Sequence, residues 1–98
     1  MEVSTWFGSG TYGVRIGASN RDRYFDQDWS EIQVDMGDHV HHFTLTDGFW
    51  RKCPEFRDRG RPVIREWLLR HKSIDWPRGS PPRMTLVPLG GNRFRLLP

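Results

Sequence analysis

The chain of 98 residues contains one cysteine, one alanine and only two lysines. A lone cysteine, Cys53, excludes an internal disulfide framework and fits a reducing compartment. The single alanine, set against 10 glycines, argues against a helical bundle and for a sheet-rich fold with tight turns. No apolar run approaches the roughly 20 residues that cross a bilayer, which excludes a membrane-spanning helix. Met1-Glu2-Val3 carries an acid where a secretory leader carries a base, so a cytoplasmic location is expected. Glycine-rich phosphate loops, close-spaced metal ligands and catalytic triad motifs are all missing. A non-enzymatic role without cofactor or metal is the expectation that follows.

What the chain does carry is tryptophan and arginine. Tryptophan occurs five times, and 13 of the 15 basic residues are arginine, whose planar fork suits phosphate, carboxylate and aromatic faces. A genome that favours arginine codons produces the same excess. Charge is also divided unevenly. Residues 1–50 hold eight acids and three arginines, a net of −5, whereas 51–98 hold 12 bases and four acids, a net of +8. Such a split marks either a polyanion-binding face or two faces that let copies of the chain meet, unless folding interleaves the halves.

Residues 1–10 show no sustained period and read as a flexible N-terminal arm, leaving 11–98 as a single α+β domain. Tyr12, Val14 and Ile16 alternate with Gly13, Arg15 and Gly17 as a half-buried strand does. Asn20–Arg23 reads as a charged loop. Ile32, Val34 and Met36 share one side of a strand; Gly37-Asp38 is a two-residue turn, and residues 40–45 return antiparallel. Asp47 is a candidate cap for a short helical turn carrying Phe49 and Trp50, with Pro54 as a break. From Pro62, the positions Val63, Ile64, Trp67, Leu68 and His71 form an amphipathic stripe, predicting a helix over 62–72. Met84 and Leu86 pair with Phe94 and Leu96 across Gly90-Gly91-Asn92, and Pro88 suggests an edge strand. The expected architecture is a small, mostly antiparallel sheet or partial barrel of about five strands, with one amphipathic helix between the hairpins.

A hairpin, an aromatic turn at Gly48-Phe49-Trp50 and the terminal strand Asn92-Arg93-Phe94-Arg95-Leu96 resemble plant-type pseudobarrel DNA-binding domains and their restriction-enzyme counterparts. The resemblance spans about half of the chain, the 62–72 helix departs from it, and likeness of this kind assigns no functional residue.

Several clusters compete as sites. His39 and His41 share one strand face and His42 takes the other; a metal would need further ligands from Cys53 or His71, and packing or exposed histidines are the simpler expectation. Cys53 among Phe49, Trp50 and Phe56 reads as a small buried hydrophobe and not as a nucleophile. Asp26, Asp28 and Glu31 read as a solvated acidic loop, although paired acids ahead of a strand also hold magnesium in nucleases. The arginines remain. Arg57, Arg59 and Arg61 lead into the helix, where free amides attract phosphate, and Arg78 and Arg83 flank the Gly/Pro loop beyond it. Trp76 either stacks a nucleobase or closes the core beneath that loop. Contact with DNA or RNA through these six residues is therefore one expectation. A protein-interaction module, including a homodimer, is the other, because interfaces also enrich arginine and tryptophan.

Overall fold

Alternation between buried and exposed side chains defines the strands of the computed structural model, which describes Met1–Pro98 throughout. Strand β1 (Glu2–Gly8) buries Val3 and Thr5, and β2 (Thr11–Arg15) buries Val14 opposite Thr5. After α1 (Ala18–Tyr24), β3 (Glu31–Asp35) and β4 (Val40–Thr44) form the expected antiparallel hairpin, with Ile32 opposite Phe43. Its turn rests on Gly37, whose φ of 91° suits glycine at the first central position of a two-residue loop. Helix α2 (Asp47–Arg51) and the three-residue β5 (Glu55–Arg57) follow. Helix α3 (Val63–His71) then leads to the last hairpin, β6 (Arg83–Gly90) and β7 (Arg93–Leu97).

All seven strands belong to one sheet of order β4-β3-β7-β6-β1-β2-β5. Five junctions are antiparallel, and β3 runs parallel to β7 with Val34 opposite Phe94. The Asn92 side-chain amide donates to the Glu31 carbonyl at 3.0 Å, and the Gln33 N–H donates to the Asn92 carbonyl at 2.9 Å. Those two bonds fix the parallel register at its start. The sheet curls strongly, so that its two edge strands come back into contact: Phe43 of β4 and Phe56 of β5 lie with ring centroids 4.7 Å apart.

The concave side holds the core. Ile64, Trp67 and Leu68 of α3 are fully buried in one apolar cluster with Val14, Ile32, Val34, Phe56, Leu86 and Phe94. Phe25 stacks on Phe94 at 4.9 Å and approaches Phe49 at 5.2 Å, so the segment after α1 and helix α2 close one end. No helix is long and apolar enough to cross a membrane.

The structure corrects several expectations. A mostly antiparallel sheet of about five strands with one helix is replaced by seven strands in a mixed sheet with three short helices. Residues 2–8, expected in a flexible arm, form a strand held on both sides by β2 and β6. Thr5 hid the pattern, because it is a polar side chain in a buried position, where its hydroxyl donates to the Pro82 carbonyl at 3.0 Å. Residues 18–24 are helical and not a charged loop. Thr46, and not Asp47, caps α2, its hydroxyl accepting the Phe49 N–H at 3.3 Å. Strand β6 is interior although it contains Pro88. The strand tolerates proline there because pairing with β1 ends at Thr85, opposite Glu2, so no neighbour on that side needs the missing N–H. Cys53 is exposed.

Truncation of the stripe on α3 tests the core. Leu68→Ala is expected to lower unfolding stability by about 2–5 kcal/mol in urea titrations, the usual range for a buried leucine. A loss below ~0.5 kcal/mol would show that this face does not support the sheet.

Candidate nucleic-acid interface

Where the two sheet edges meet, residues 41–44 of β4 and Arg57 of β5 border a cleft of about 210 Å³. Its lining contains Arg57, Arg59, Arg61, His41 and His42, and no carboxylate. Arg57 sits on β5, whereas Arg59 and Arg61 occupy the tight turn that follows, where the Arg61 N–H donates to the Arg59 carbonyl at 2.9 Å. Gly60 supplies the positive φ of that turn, 78°. The turn brings three guanidinium groups to one side of the seam. Arg59 and Arg61 form no ion pair, so their charge is free to attract an anion.

The start of α3 does not act as the expected phosphate cradle. The Asp58 carboxylate already accepts the Ile64 N–H at 2.8 Å and the Arg65 N–H at 3.2 Å. The chain thus supplies its own anion at the helix start. Burial pushes the Asp58 carboxyl above the usual range, and the two amide bonds only partly offset that push.

On the convex face next to the cleft lies an aromatic arrangement that the sequence reading missed. Trp6 packs over Gly13 of the neighbouring strand; a Cβ there would stand 3.2 Å from the indole and 2.7 Å from the Phe56 carbonyl oxygen. The Arg57 guanidinium lies over the indole, 4.3 Å from its ring centre, a cation–π contact. Arg57 also reaches Glu55 at 3.3 Å, and Arg15 reaches the same carboxylate at 4.0 Å. Glu55 is buried between two arginines and holds both in position. Beyond Trp6 opens a groove of about 480 Å³, lined by Phe7, Tyr12, Arg15, Asp75 and Trp76 among others.

The other expected residues land elsewhere. Trp76 is half-buried and meets Tyr12 edge-on at 6.1 Å, but it lies outside the apolar core cluster, so it does not close the core. Arg78 is exposed on the loop, and Arg83 on β6 is ion-paired with Glu2. The structure therefore brings Arg57, Arg59 and Arg61 together and leaves Arg78 and Arg83 outside the cleft. His41 pairs with Asp38 at 3.4 Å on the inner side of β4, while His42 pairs with Glu31 at 3.3 Å on the outer side. Hydrogen bonds from the His39 amide and the His41 ring, acting against burial, keep the Asp38 carboxyl low. Compared with protein-family models, curated proteins and solved structures, the chain matches none.

The raised Asp58 carboxyl has a defined pH signature. Between the unfolded pKa, roughly 3.9, and the higher folded value, the native state binds more protons than the unfolded state. Stability contributed by this group therefore falls as pH rises through that window. In urea titrations across the carboxylate range, wild type is expected to lose ground relative to Asp58→Asn as pH increases. A difference between the two proteins that does not change with pH would contradict the assignment.

Proposed function

We propose that this protein is a small, non-enzymatic cytoplasmic binding domain that contacts DNA or RNA through the phosphate backbone. Arg57, Arg59 and Arg61 make the primary contacts. The observation that supports this reading is the cleft at the seam, with three guanidinium groups, two imidazoles and no carboxylate on its lining. Guanidinium forks make charge-assisted, bidentate bonds with phosphate oxygens, and the rigid turn at Gly60 reduces the ordering cost of presenting them. The exposed thiol of Cys53 suits a reducing compartment.

A second reading rests on β4. It is a free sheet edge and carries Val40, 54% exposed, which suits strand-to-strand contact with a protein partner or a second copy.

Anisotropy titrations with mixed-sequence DNA and RNA at two salt concentrations separate the readings. Phosphate contact requires affinity to fall steeply with salt. The double variant Arg59→Glu/Arg61→Glu is expected to bind at least about tenfold more weakly on every sequence, with the salt slope reduced by about 2. Its unfolding stability should change by no more than about 0.5 kcal/mol, because both positions are exposed. Absence of binding at micromolar protein, together with a particle mass near twice 11.6 kDa, would favour the interaction module instead.

A further inference from the structure

Three aromatic side chains on this molecule have no core to serve. Trp6, Phe7 and Trp76 all lie outside the apolar cluster and outside the partly buried residues packed against it. Phe7 is 51% exposed, a large apolar surface for water to cover. They are nonetheless held in place. Phe7 packs on Tyr12 with ring centres 4.7 Å apart, and Tyr12 meets Trp76 at 6.1 Å. The Tyr12 hydroxyl donates to the Ile74 carbonyl at 3.2 Å, which ties the 74–81 loop to β2. Trp6 packs on Gly13 and carries the Arg57 guanidinium over its ring.

We infer that the groove between the β1–β2 hairpin and the 74–81 loop receives an unpaired nucleobase of a single strand whose phosphates occupy the adjacent arginine cleft. The inference rests on the phosphate-binding reading and adds to it the preference for single strands. Two observations lead to this occupant. The groove volume, about 480 Å³, falls within the roughly 300–1,000 Å³ typical of small-ligand sites, which is room enough for a base. Groove and cleft are also neighbours, because Trp6 is among the residues of the groove and the Arg57 guanidinium of the cleft lies over its ring. An anionic strand bound at Arg57, Arg59 and Arg61 thus runs beside an aromatic surface within reach of its bases. Arg15 adds a cation to the groove, and Asp75 is its one carboxylate. In a duplex the bases are stacked inward and present no free ring face. Stacking on side chains of this kind tolerates any base, so strand state and not sequence is what the groove distinguishes.

Three probes test it on the full chain: inorganic polyphosphate, a mixed single strand of about 12 nucleotides, and the same strand annealed to its complement. The single strand is expected to bind about tenfold more tightly than the duplex and to quench tryptophan fluorescence; polyphosphate should bind without quenching. Phe7→Ala, at an exposed position, should remove most of the preference for the single strand and leave polyphosphate binding unchanged; Trp76→Leu should do the same and reduce the quench. Equal affinity for single strand and duplex without quenching would overturn the base-stacking inference while leaving the arginine reading intact. Failure of all three probes to bind would overturn the arginine reading and this inference with it.

Discussion

The contact between Phe43 and Phe56 sets what the charged residues around it can do. A seven-stranded sheet has two edges, and here the rings bring those edges together without hydrogen-bonding them into a closed barrel. A fully hydrogen-bonded seam would have set β4 and β5 side by side and left no cleft between them. A flat sheet would have separated His42 from Arg57 by the full width of seven strands, with neighbours roughly 4.8 Å apart. The apolar pair inside the seam therefore determines the polar geometry outside it.

Interleaving of the strands decides where positive charge remains unpaired. The acidic first half and the basic second half do not form two faces, because β7 and β6 insert between β3 and β1. Arg83 pairs with Glu2, Arg95 with Asp35, and Arg70 lies 3.8 Å from Asp38, each bond linking one half of the chain to the other. The Gly37 amide, and then Arg95, hold the Asp35 carboxyl below its usual range. Exposed pairs like these add little stability, but they cancel field. Arg59 and Arg61 are among the bases left without an ion pair, and they are the ones that border the cleft.

Local structure was legible wherever side chains alternate cleanly. Ile32, Val34 and Met36 announced β3, the Gly37-Asp38 pair announced its turn, and Trp67 with Leu68 announced the buried face of α3. Arg57, Arg59 and Arg61 were visible as a cluster because they are adjacent in sequence. What stayed hidden depended on distant pairing. Nothing in Arg93–Leu97 says that its neighbour is β3 and that they run parallel, and Thr5 conceals β1 because its buried hydroxyl finds the carbonyl of Pro82. Trp6, Phe7 and Gly13 come together only once β1 and β2 are paired. The available signal was the adjacent aromatic pair Trp6-Phe7 with Gly13 across the turn, where a neighbouring ring needs the side chain to be missing.

The position of β1 also governs the order in which the molecule can assemble. It precedes the other strands of the sheet, yet one of its two neighbours, β6, begins only at Arg83. Until then β1 has only β2 beside it, and an isolated two-stranded hairpin is marginally stable at best in water. Closing that long loop costs conformational entropy before any contact repays it, which slows folding. Val3 and Ser4 therefore stay without a neighbour on that side until Met84 and Arg83 arrive, and β1 must wait for β6 before the sheet is continuous.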